Sequence, residues 1–268
     1  MAAKKPVGNV TRGTTNPNRL RRVDRYICAL PVLRAIDAPI VVDLGYGGSP
    51  ITAVELLARC QKVNAASRVV GVEIERERVE RGLAVATESL RFMLGGFETP
   101  LPPEFGAGAK ADLVRAFNVL RQYNEAEVPA AWAMMQSRLS PSGLLVEGTC
   151  DEIGRLASWV TLSPTAPLWF TVSLRLAGLE QPSKVAERLP KALIHHNVDG
   201  EPIHRFLQDL DHYWNTHAPL GVYGPSQRWI AVCKSMKAGG WPIKSDSARW
   251  RLGEITVAWD AVAHNATS

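Results

Sequence analysis

Apolar residues in this chain fall into two kinds of block, and their alternation predicts most of its architecture. Near-continuous apolar runs at Ile40–Leu44, Arg68–Ile74, Leu90–Leu94, Asp112–Ala116 and Gly143–Glu147 read as strands buried on both faces. Between them lie stretches at helical spacing: about Ile51 to Gln61, a stretch through Val79 and Leu83, and a long helix from about Glu125 to Leu139. Strands alternating with helices in this way predict an α/β fold with a doubly wound, mostly parallel sheet. Ahead of it, Leu20, Val23, Ile27, Leu30 and Leu33 recur at helical spacing across Pro31. Residues 1–18, rich in Gly, Pro and Asn, read as a flexible arm.

The pattern thins beyond residue 155. Trp159–Leu162 and Leu168–Leu176 read as strands, and 183–189 and 202–214 as helical. Arg228–Cys233 reads as a strand able to pair antiparallel with 168–176, which closes a seven-stranded sheet with a C-terminal hairpin. Glu254–Val262 fits helix or strand. The expected division is a basic arm and helix over 1–37, a core over 38–176, a helical insertion or lid over 177–225, and a final strand and tail over 226–268.

Composition adds little except for charge. With 46% hydrophobic and 21% charged residues, the chain matches an ordinary soluble globular protein. It has no apolar run approaching the roughly 18 residues of a membrane helix, and Met1–Pro6 lacks the apolar segment of a secretory signal. Cys28, Cys60, Cys150 and Cys233 are far apart with no CxxC pair, so neither a zinc site nor a disulfide framework is expected. Reduced thiols in the cytoplasm are the expectation, with no membrane partner. The net charge is +5, but residues 1–25 alone carry seven Lys and Arg against Asp24. The basicity therefore belongs to the N-terminus. It suits a solubilising tail or a phosphate-binding arm over residues 11–25.

The candidate chemistry centres on Val41-Val42-Asp43-Leu44-Gly45-Tyr46-Gly47-Gly48-Ser49-Pro50. A buried strand ends on an acid, and a glycine turn leads into a helix, so backbone amides can approach a nucleotide-like ligand. This Asp-x-Gly-x-Gly-x-x-Pro run resembles motif I of class I S-adenosylmethionine (SAM) methyltransferases. Four further segments extend the resemblance over residues 39–150. They are Val69–Ile74, with Glu73 ending its strand; Leu94-Gly95-Gly96-Phe97-Glu98-Thr99-Pro100-Leu101-Pro102; Ala111–Leu120, with Asn118; and Leu139-Ser140-Pro141-Ser142-Gly143-Leu144-Leu145. The resemblance implies a SAM-binding Rossmann-like core and a cofactor set of Asp43, Gly45, Tyr46, Gly47, Glu73, Gly96, Phe97 and Asn118. In that family Asp43 would help hold the ammonium, Glu73 the ribose hydroxyls, and Phe97 would pack on adenine. The acid that often meets the adenine amino group is replaced by Gly96. No specific subfamily is indicated. A nicotinamide dehydrogenase needs a third small residue where Pro50 stands, and the intact Asp43, Gly45, Gly47 and Glu73 argue against a degenerate, non-catalytic SAM-binding protein.

The acceptor is not written in the sequence. No Asn/Asp-Pro-Pro-Tyr run grips an amino nitrogen, and Cys150 lacks the second cysteine of RNA 5-methylcytosine enzymes. Asn118, Tyr123, Asp151 and His195 are the candidates for catalysis. His196, His204 and His212 lie near the last of these, with no carboxylate at metal-ligand spacing and no metal expected. A small-molecule acceptor, with 177–225 as lid, is favoured over a nucleic acid held by the arm.

Overall fold

A computed structural model describes residues 5–264. The first four residues of the arm and the last four of the tail lie outside the described residues. Eight strands form one sheet: β1 (Ile40–Leu44), β2 (Arg68–Glu73), β3 (Leu90–Leu94), β4 (Ala111–Phe117), β5 (Leu139–Cys150), β6 (Leu156–Leu162), β7 (Pro167–Leu174) and β8 (Glu254–Ala258). Their order is β3-β2-β1-β4-β5-β6-β7-β8. The α/β class is as expected, with eight strands rather than seven.

The chain divides into two compact units, and the first comprises residues 1–147 with short pieces at 152–154 and 162–166. Its strands β3, β2, β1 and β4 pair in parallel, with Val42 opposite Val70 on one side and Val114 on the other. Ala111 N–H bonds to Arg138 O as β5 enters beside β4. The strands are apolar because every residue of β1 and β4 is buried. The helices α1 (Arg21–Ile27), α2 (Val32–Ala35), α3 (Ile51–Gln61), α4 (Arg76–Leu83) and α5 (Val128–Gln136) belong to this unit. α3 buries Thr52, Ala53, Leu56 and Cys60, a stripe at helical spacing. The expected long helix from Glu125 opens instead as a 3-10 turn under an Asn124–Glu127 capping box before α5 begins.

The second unit comprises residues 148–151, 155–161 and 167–268. Here β6 follows the end of β5 through a tight connection, Asp151 N–H bonding Leu156 O. A loop this short joins only antiparallel neighbours. The helices α6 (Lys191–Ile194), α7 (Pro202–Thr216), α8 (Pro225–Ala238) and α9 (Ser247–Trp250) complete the unit. Residues 228–233, expected as the last strand, lie inside α8. Their apolar run is short enough to suit either element, but Trp229, Val232, Cys233 and Met236 are buried together at helical spacing. The antiparallel partner of β7 is β8, with Val172 opposite Ile255. No described helix is long and apolar enough to cross a membrane.

Candidate functional site

Four parallel strands of the first unit end around one small cavity. The end of β1 gives Gly45, the end of β2 gives Glu73, the turn after β3 gives Gly96 and Phe97, and the segment after β4 gives Val119 and Tyr123. The carboxyl ends of parallel strands, beside the point where strand order reverses between β1 and β4, are where open α/β sheets bind ligands. Gly45 sits at φ +71°, and a Cβ there would lie 2.7 Å from Val119 Cγ2. The turn therefore requires glycine for conformation and for space. Asn118 also takes a left-handed conformation, at φ +60°.

Glu73 is buried at the tip of β2. Its Oε2 accepts the Gly47 N–H at 2.9 Å, its Oε1 accepts the Ile74 N–H at 2.9 Å, and Arg78 Nη1 stands 3.7 Å away. Each oxygen retains a lone pair. Phe97 is buried with its ring centroid 5.2 Å from that of Tyr123. Tyr46 points elsewhere: its hydroxyl donates to Arg78 O, and its ring meets the Phe92 ring edge-on. Burial, followed by the charge of Glu73, raises its phenol above the ordinary range.

Asp43 is committed to an ion network that the sequence did not announce. Arg115 of β4 donates from Nε to Asp43 Oδ1 at 3.0 Å and pairs through Nη2 with Oδ2 at 2.6 Å. Thr52 Oγ1 donates to the same Oδ2 at 2.9 Å. Through Nη1, Arg115 also pairs with Asp24 of α1, which Arg59 meets from α3. Arg115 and Asp24 are fully buried. The signal available was Arg115 itself, a cation in the middle of a buried strand. Its partners are 72 and 91 residues away in sequence, beyond any local pattern.

The N-terminal arm crosses this cradle. Val7 N–H donates to Glu98, and Val7 O accepts the Phe97 N–H at 2.9 Å. Asn9 N–H meets the Tyr123 hydroxyl, and Asn9 O accepts from Gln122. Arg78 holds Thr11 through Oγ1 and O. Gly48 N–H donates to Gly13 O at 2.8 Å, and Thr15 Oγ1 donates to Tyr46 O. The space left is about 20 Å³, room for roughly one water. The arm expected to be flexible is thus seated from residue 7 to residue 15.

The other candidates belong to the second unit, where their described contacts are local. Asp151 Oδ1 accepts the Arg155 N–H at 2.6 Å, and His195 Nε2 lies 3.4 Å from Lys191 Nζ. Cys150 is buried. His196 does find a carboxylate: Glu201 Oε2 stands 3.8 Å from its Nδ1 and 2.9 Å from His264 Nδ1. The two imidazoles stack at 4.1 Å and 17°. Ring nitrogens bind metals in the ring plane, and near-parallel planes this far apart do not meet at one ion unless the rings turn.

No family model matches the chain, and no curated protein matches it. Solved structures give partial likenesses. One is an N,N-8-amino-8-demethyl-D-riboflavin dimethyltransferase of Streptomyces davawensis, at 17% identity over 49% of this chain and 36% of that one, TM-score 0.35. Another is the magnesium protoporphyrin IX methyltransferase of Synechocystis with bound SAH, at 18% identity, covering 48% and 55%, TM-score 0.36. A SAM-dependent methyltransferase of Leishmania major is similar at 20% identity over 49% of each chain, TM-score 0.37. The matched segment is about half of this chain and between about a third and just over half of each of these.

Proposed function

We propose that this chain is a class I SAM-dependent methyltransferase acting on a small-molecule acceptor. What carries the reading is the convergence of four strand ends on one cavity, each bearing the residue type its place requires: Gly45, Glu73, Phe97 and Val119–Tyr123. Spare lone pairs on Glu73 suit a pair of ribose hydroxyls, and the Phe97–Tyr123 wall suits an adenine face. Asp43 has a different part from the one the resemblance implied. Its carboxylate is already taken by Arg115 and Thr52, so it sets the shape of the glycine turn rather than meeting an ammonium directly. Gly96 supplies no carboxylate for the adenine amino group. The donor set therefore fits the cofactor, and the space for it opens when residues 7–15 leave.

The cofactor supplies an electrophilic methyl carbon on a sulfonium. The chain's task is to hold the acceptor in line with it and exclude water, which calls for positioning more than for a strong base. Asn118 and Tyr123 are the polar groups of the first unit offered for that work.

The test is titration calorimetry with S-adenosylhomocysteine, with Glu73→Gln as control. The reading expects saturable binding that Glu73→Gln weakens at least tenfold. Failure to bind, in the full chain and in a chain lacking residues 1–15 alike, refutes it. A nucleic-acid acceptor is the second reading, favoured by the charge of residues 1–25 and by the exposure of Lys5, Arg12 and Arg21.

A further inference from the structure

The geometry points to an internal competitor for the cofactor: residues 7–15 bind the candidate pocket as an extended peptide, so that arm and cofactor exclude one another. This rests on the cofactor reading above and adds a regulation of that site.

The arm contacts each part of the cradle in turn. Val7 meets the turn after β3, Asn9 meets Tyr123, Thr11 meets Arg78 beside Glu73, and Gly13 and Thr15 meet the glycine turn. Eight hydrogen bonds run between residues 7–15 and the cradle. The cavity that remains has both arm and strand-end residues in its walls. At about 20 Å³ it falls far below the roughly 300 Å³ of a small ligand site.

The cradle's glycines are cut to the arm. A Cβ on Gly96 would stand 1.9 Å from Val7 O. That is the position where the resemblance expects an acid, and any side chain there would strike the arm's backbone. A Cβ on Gly47 would lie 2.5 Å from Thr15 Oγ1, and one on Gly48 would lie 2.9 Å from Gly13 O. In the arm itself, Gly13 takes φ +74°, with Arg78 Nη2 2.7 Å from where its Cβ would be. Gly96 is thereby accounted for, which the cofactor alone did not do.

The seat is also of a kind that can be vacated. Val7 and Val10 remain 42% and 53% exposed, so the arm brings little apolar burial with it. It is held by hydrogen bonds that water can replace, each of small net worth, against the entropy of ordering an extended segment. A ligand that binds only the vacated pocket sees its affinity reduced by the fraction of molecules in which the arm is seated.

Three proteins separate the outcomes: the full chain, the chain lacking residues 1–15, and full-length Gly13→Val, which unseats the arm without removing it. Each is titrated with S-adenosylhomocysteine by calorimetry, and arm release is followed by the rate of tryptic cleavage after Arg12. Both altered proteins are expected to bind at least tenfold more tightly than the full chain, and added S-adenosylhomocysteine to speed cleavage of the full chain. Equal affinities in all three overturn the proposal and leave the cofactor reading standing. So do weaker binding by the altered proteins and slower cleavage with ligand, which make the arm a lid closed over the cofactor. If none of the three binds, the cofactor reading fails and the competition falls with it.

Discussion

Arg115 is the residue on which the first unit's polar interior turns. It lies in a strand whose every position is buried and joins Asp24 to Asp43. Removing one partner of a buried ion group leaves the others desolvated and uncompensated, at a cost of about 3–5 kcal/mol. Arg115→Met should lower stability by that amount in urea denaturation at pH 7. Asp24→Asn, which leaves the Arg115–Asp43 pair intact, should cost less, and a loss below about 1 kcal/mol for Arg115→Met contradicts this placement. Glu147 of β5 is the opposite case, a buried carboxyl with no cation beside it among the described residues. Burial pushes it up to about 8, with Trp132 opposing. Because the folded value lies above the unfolded one of 4.5, the folded state binds the proton more tightly. The stability this group contributes is fully present below pH 4.5 and is lost as pH rises through about 8. The stability of wild type minus that of Glu147→Gln should therefore fall by several kcal/mol, at about 1.4 kcal/mol per pH unit, across that window. Parallel pH profiles refute it.

The buried strands of the first unit were legible because both faces of a parallel sheet are covered and each strand reads as an apolar run. Glu73 and the glycine turn were legible for a related reason: an acid or glycines at the end of such a run serve no packing purpose. α8 departs from the expected strand because a five-residue apolar run suits either period, and the residue that settles it, Met236, lies beyond the run. The arm's seat was illegible. It is made of backbone hydrogen bonds and glycine contacts, which leave no periodic trace. The junction of β1 and β4 offers a direct check on the turn. Gly45→Ala meets both the positive φ and the Val119 methyl, and should cost at least 1 kcal/mol from the backbone term alone. Val119→Ala in the same chain should recover the steric part and leave the backbone part. Strict additivity of the two changes in a double-mutant cycle denies the contact.

For the whole molecule, charge and fold make separate statements. The surplus of positive charge lies in residues 1–25, and part of that segment is structural. Arg19 donates to Thr14 O, Arg22 to Gly154 O, and Arg78 of the cradle grips Thr11. The exposed cations Lys5, Arg12 and Arg21 remain for a polyanion. A small-molecule enzyme should bind bulk RNA weakly, with no change when these three become Ala at 50 mM salt. A drop of tenfold or more, with a shallower salt slope, would turn the assignment toward a nucleic-acid acceptor.

If the strand ends around Glu73 hold a SAM-type ligand, amide chemical shifts report it by position. In the 1H–15N spectrum of the chain lacking residues 1–15, saturating S-adenosylhomocysteine should shift Gly45, Gly47, Gly95 and Gly96. Gly178, Gly200, Gly221 and Gly240 of the second unit should stay in place. Unmoved amides at residues 45–47 and 95–96, with ligand in millimolar excess, would rule out a SAM-type ligand at these strand ends.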